Sequence, residues 1–134
     1  MPRNDYHAIK TAADVQKFED VSNGLHDGYI THVAYSNSGI SADDTGLRFD
    51  YTGTSLVLHV LVTSLPGHPT FEIAFYGVTA WRMNQDYYSD MTGFSILFLD
   101  NGMLLWADDT AGKIDDLKQG SYVVAESIQY KILP

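Results

Sequence analysis

The chain has 134 residues, enough for one ordinary domain to bury a core without metal or disulfide staples. Its 45% apolar and 13% aromatic content, spread along the chain, argues against disorder, and the absence of cysteine removes disulfide frameworks and thiolate chemistry. Eight Lys and Arg against seventeen Asp and Glu give a net charge of −9, which disfavours nucleic-acid binding; the acidity serves solubility or, more sharply, a basic partner.

No apolar run approaches the roughly 18 residues that a membrane-spanning helix needs, and MPRNDYHAIK has no signal-peptide core. The expectation is a cytoplasmic protein that meets neither membrane nor nucleic acid, a single domain over residues 1–134 with a flexible stretch over 1–9. Thr11-Ala12-Ala13-Asp14 then has the spacing of a helix cap, in which a hydroxyl and an acid satisfy the first free amides. Val15, Phe18 and Val21 follow at helical spacing, so a short amphipathic helix is predicted from Ala12 to Val21, with Asn23-Gly24 as its stop.

Beyond Gly28 the periodicity becomes two. Gly28 to Ser36 reads as a strand, Ser36-Asn37-Ser38-Gly39 as a turn, and Leu47, Phe49 and Tyr51 alternate with Arg48 and Asp50, which predicts one core-facing and one wet face. A further strand runs from Ser55 to Val62. The segment Leu65-Pro66-Gly67-His68-Pro69 must be a loop, and Thr70 to Val78 places Phe71, Ile73 and Phe75 on one face. Ala80 to Met91 is expected to be irregular, with one short helix at most.

Gly93 to Leu99 and Met103 to Ala107 flank Asp100-Asn101-Gly102, a hairpin signal in which Asn-Gly suits a tight turn with positive φ at both central positions. Asp108 to Gly120 is a polar, acidic connection. The last segment, SYVVAESIQYKIL, alternates except at Glu126, where a bulge or break would exchange its faces. The sum is an α+β domain: one short N-terminal helix and about seven mostly antiparallel strands, forming a sandwich or half-barrel.

No nucleophile elbow, phosphate-binding loop or calcium loop is present, so no motif names a reaction and no cofactor is implied. His26-Asp27 resembles a base with its orienting acid, but neighbours on an extended strand point to opposite faces. His32 lies six residues on, roughly 20 Å of strand, which is too far for His26 and His32 to share one ion. Asp27 reads instead as a turn residue hydrogen-bonding nearby amides, with binding or catalysis as the sharper alternatives. His59 sits alone in an apolar strand and is not expected to ligate a metal.

Asp86, Asp90, Asp108, Asp109, Asp115 and Asp116 mark where a charged partner would be sought, with Tyr87 and Tyr88 beside them. Tyr76, Trp81, Tyr87, Tyr88 and Trp106 are candidates for an aromatic platform or interface, or are simply core.

FEDVSNGLHDGYI, LRFDYTGTSLVLHV, FEIAFYGVTAW and the closing strand together resemble small bacterial immunity-type proteins, in particular the Immunity protein 50 family and its relatives. The matching residues are His26 and Asp27 at the opening of a strand, and Phe75, Gly77 and Val78 of an F-x-G-V pattern. The resemblance implies a compact sheet, no catalytic residue, and an antitoxin that binds and blocks a cognate toxin such as a basic nuclease. A ligand-binding or enzymatic pocket lined by Tyr, Trp and His26, and a small assembly subunit, are the alternatives; the oligomeric state is left open.

Overall fold

The computed structural model of the chain describes residues 5–84, 91–110 and 114–134. Strand β1 (His7–Ile9) leads into helix α1 (Ala12–Ser22), which opens as its sequence predicts: the Thr11 hydroxyl accepts from the Asp14 amide, and the Asp14 carboxylate accepts from the Thr11 amide. The helix stops where Asn23 turns left-handed, and Gly24 and Leu25 continue in that conformation. Residues 7–9, expected to be flexible, instead pair with the last strand, because Ile9 is apolar and fills the core.

Among the described residues, seven strands form one sheet. The long members are β2 (Gly28–Asn37), β5 (Thr54–Val62), β6 (Thr70–Arg82) and β9 (Tyr122–Ile132), joined by the short β7 (Ser95–Phe98) and β8 (Leu104–Ala107) in the order β2-β5-β6-β9-β8-β7. Every ladder is antiparallel, as alternation and short loops imply. One side of β9 takes β6; the other is divided between β8, opposite Tyr122–Ala125, and β1, opposite Ile128–Tyr130.

The predicted alternation places Phe71, Ile73 and Phe75 of β6 and Leu56, Leu58, Val60 and Val62 of β5 in the core, all without exposed surface. Helix α1 covers them through Phe18, whose ring stacks on Tyr130 at 4.1 Å and lies 4.9 Å from Phe94. Val21, which the spacing put on the same stripe, is 38% exposed, so Phe18 carries the docking of the helix.

The interruption at Glu126 is a real change of face. Ile128 and Tyr130 join the main core, Glu126 and Ser127 are exposed, and inward positions resume at Ala125 and Val123. The paired strand makes the same change, from Phe75 to Val78 across Tyr76-Gly77. Gly77 has φ +66°, and a Cβ there would stand 2.8 Å from that of Glu126, so only glycine fits. A bulge between Val78 and Ala80 follows, and Thr54 pins it: the Val78 amide donates to the Thr54 hydroxyl at 2.6 Å. Past this point the sheet is apolar on both faces, and a second cluster of Met103, Leu105, Ala107 and Val124 packs with Leu117 of helix α2 (Ile114–Leu117).

Two local expectations change. In the β7–β8 hairpin only Gly102 has positive φ; the Gly102 amide donates to the Leu99 carbonyl and the Leu99 amide to the Met103 carbonyl, the pattern of a type I turn closed by a glycine bulge. Leu47, Phe49 and Tyr51 are not core: they are 79%, 60% and 39% exposed. Strand β4 (Gly46–Phe49) pairs with β3 (Ile40–Asp43) as a separate two-stranded ribbon rather than with the main sheet. Alternation establishes that one face is apolar; it does not say what covers that face.

Replacing Gly77 with alanine forces a Cβ into the β6–β9 switch and a side chain into left-handed backbone. The Gly77→Ala protein is expected to lose about 1–3 kcal/mol of stability, read as a lower urea midpoint at unchanged slope.

Candidate functional site

GLHDG is a backbone junction. Asp27 is left-handed at φ 55°, its amide donates to the Met91 carbonyl, and its carbonyl accepts from both the amide and the hydroxyl of Thr63. The His26 carbonyl accepts from Ser64, and the His26 ring meets the Thr92 carbonyl at 3.2 Å. A Cβ on Gly28 would lie 2.6 Å from the Leu25 carbonyl oxygen, so the glycine is required where the chain turns into β2. The Asx turn expected of Asp27 is replaced by these main-chain bonds; its carboxylate faces the His26 ring at 3.9 Å, both side chains half exposed. The pair ties the end of α1 to two loops.

The other predicted residues do not converge. Asp86, Tyr87, Tyr88 and Asp90 lie outside the described residues. Asp108 is a structural clasp rather than part of an acidic face: it accepts from the Ser121 amide at 3.0 Å, and burial pushes its carboxyl above the usual aspartate range against that bond. Asp109 is exposed and accepts from the Thr110 amide, and Asp115 and Asp116 are exposed on α2. Trp106 is buried in the core, Trp81 lies beside Tyr35 at 5.4 Å between ring centres, and Tyr76 stands half exposed on β6. These three aromatic residues form no common platform.

Sequence reading missed the best-organised polar group. Four strands in register bring His32 of β2 against His59 of β5, His59 against Glu72 of β6, and Glu72 against Lys131 of β9, a row across the sheet face opposite α1. His59 Nε2 lies 2.9 Å from Glu72 Oε1, and the His32 ring lies tilted beside that of His59, 4.7 Å between ring centres. The other carboxylate oxygen accepts from the Tyr6 hydroxyl and faces Lys131 Nζ at 3.7 Å, while that ammonium lies over the Tyr6 ring. Burial alone would raise the Glu72 carboxyl; Tyr6, His59 and Lys131 outweigh it and hold it below the usual glutamate range. Burial and the bond to Glu72 in turn raise the Tyr6 hydroxyl. A partial signal existed for one pair: His59 and Glu72 lie seven and six residues from Pro66, the middle of the loop that joins their strands.

An open cleft of about 530 Å³ adjoins His59, lined also by Thr31, His68, Thr70 and Leu133. A histidine oriented by a carboxylate is the arrangement of a general base. Among the described residues, however, no hydroxyl is hydrogen-bonded to the His59 ring as a nucleophile, and no group of three His, Asp or Glu is placed to hold a metal ion. The Glu72 carboxylate is satisfied within the row.

A different surface is not. Ile40 pairs with Phe49 and Ala42 with Leu47, so these four share one face of the β3–β4 ribbon, while Ser41, Asp43 and Arg48 lie on the other. All four apolar residues are exposed, Ile40 at 57%. The polar face is internally bonded, with Arg48 Nε 2.8 Å from Asp43 Oδ2, and the base is closed by the Asp50 amide donating to the Gly39 carbonyl. Sequence patterning found this apolar face but assigned it to the interior.

Comparison with protein-family models, curated proteins and solved structures gives no match.

The depressed Glu72 carboxyl sets a sign. Its folded-state value lies below its unfolded one, so its contribution is complete above the normal glutamate range and is lost as pH falls through the folded value. Urea midpoints measured down from neutral pH are expected to fall in acid, and Glu72→Gln removes part of that fall; an unchanged profile would contradict the ion-paired row.

Proposed function

We propose that the chain is a non-enzymatic binding protein that docks a partner on the apolar face of the β3–β4 ribbon, and that it acts as an immunity-type antitoxin toward a basic toxin. The observation that carries the reading is the ribbon itself. An isolated two-stranded hairpin is marginal in water, yet this one turns Ile40, Leu47 and Phe49 outward together. Full burial of each against a partner is worth about 1.5–3 kcal/mol, enough for a small central hot spot.

Charge supports a basic partner, since the chain carries −9 overall and complementary fields speed encounter. The enzymatic alternative lacks such support: the Glu72 carboxylate beside His59 is shared with Tyr6 and Lys131, and the described aromatic candidates are dispersed. The family resemblance in the His-Asp and F-x-G-V segments agrees with a binding role, because both segments serve the backbone here.

The test is to co-produce the chain with the basic protein encoded beside its gene and to measure complex formation and inhibition. Leu47→Asp and Phe49→Asp are each expected to weaken the complex by at least about tenfold, a change worth 1.4 kcal/mol, with unchanged unfolding midpoints because the ribbon lies outside the core. Neutralisation that survives both changes, or no complex with any neighbouring product, rejects the proposal.

A further inference from the structure

We infer that the partner completes the main sheet by adding a strand to β2, and that this strand comes from an extended segment bearing Lys or Arg; the inference rests on the binding role of the ribbon. Strand β2 ends the strand order of the sheet: it is hydrogen-bonded to β5 along one side, and on the other, among the described residues, Gly28 at its start forms a bridge with Met91. Edge strands are ordinarily guarded by charge, proline, shortness or bulges. The far end of the strand order, β7, is four residues long and β1, on the flank of β9, is three, whereas β2 runs for ten with no proline, acid, lysine or arginine, and one bulge between Ile30 and His32.

The side chains show the same incompleteness. Val33 and Tyr35 pair with Leu58 and Leu56, which have no exposed surface, so all four belong to the core face. Yet Val33 is 38% and Tyr35 41% exposed. Among the described residues the core face is only partly covered along this strand, with Trp81 beside Tyr35. Only Ser38 and Gly39 separate β2 from the ribbon, so an incoming strand at this edge has the ribbon's apolar face close by in the chain.

Electrostatics selects among occupants. From Asp27 to Thr54 the chain carries four carboxylates, Asp27, Asp43, Asp44 and Asp50, against the single guanidinium of Arg48, already held by Asp43. A second copy would bring two such acidic rims together, each on a molecule of charge −9. A segment with apolar residues at alternate positions and basic residues at its ends meets both the edge and the rim.

The experiment uses the full chain and three ten-residue probe peptides of alternating Val and Thr: one ended by lysines, one ended by glutamates, and the lysine peptide N-methylated on alternate residues. The lysine peptide is expected to bind and to slow hydrogen exchange of the outward amides of β2 at least tenfold. The glutamate and N-methylated peptides, and the Tyr35→Lys protein with the lysine peptide, are each expected to bind at least tenfold more weakly. Equal binding of the N-methylated peptide, or unprotected β2 amides, overturns strand addition; equal binding of the glutamate peptide overturns the basic occupant. A concentration-dependent dimer that protects β2 without peptide assigns the edge to a second copy and overturns the inference. Partner binding that still requires Leu47 and Phe49 while β2 stays unprotected rejects strand addition alone, whereas β2 protection in the Leu47→Asp and Phe49→Asp proteins at undiminished affinity rejects the ribbon.

Discussion

The antiparallel pairing of β6 with β9 is the constraint on which the rest of the molecule depends. Both strands exchange their inward faces at one level, Gly77 opposite Glu126, because a glycine in left-handed backbone lets the two chains turn together. On one side of that level a single face is apolar and α1 covers it through Phe18; on the other both faces are apolar, and α2 brings Leu117 to the second. The position of each helix follows from where the sheet is apolar. Had only one strand switched, Phe75 and Ile128 could not both join Val78 and Ala125 in one core.

Much of this is readable in the chain. The Thr11–Asp14 cap, the prolines of the β5–β6 loop and the break at Glu126 are local signals, and each has a local cause. The ribbon misleads because period-two patterning reports an amphipathic strand without naming its cover, and Leu47 and Phe49 look like any half-buried pair. The Asn-Gly turn misleads more narrowly: three loop residues rather than two leave a single left-handed glycine, so the dipeptide fixes the hairpin but not its turn type.

The polar row was hidden for a different reason. His32, His59, Glu72 and Lys131 are scattered in sequence, and each is unremarkable beside its neighbours along its own strand. Only the register of three ladders makes them a group, and register is a property of pairs of strands. Conversely, His26 and Asp27 look like chemistry because they are adjacent, while the fold uses chiefly their amides and carbonyls. Adjacency in sequence and convergence in space are separate facts in a β protein.

The ribbon's detachment from the core has one more consequence. Ile40, Ala42, Leu47 and Phe49 contribute nothing to either buried cluster, and the residues that close the base of the ribbon are not among them. The exposed apolar face of the ribbon and the clusters that keep the chain folded are therefore written in different residues. Such a division lets that face drift through many substitutions while folding stays intact.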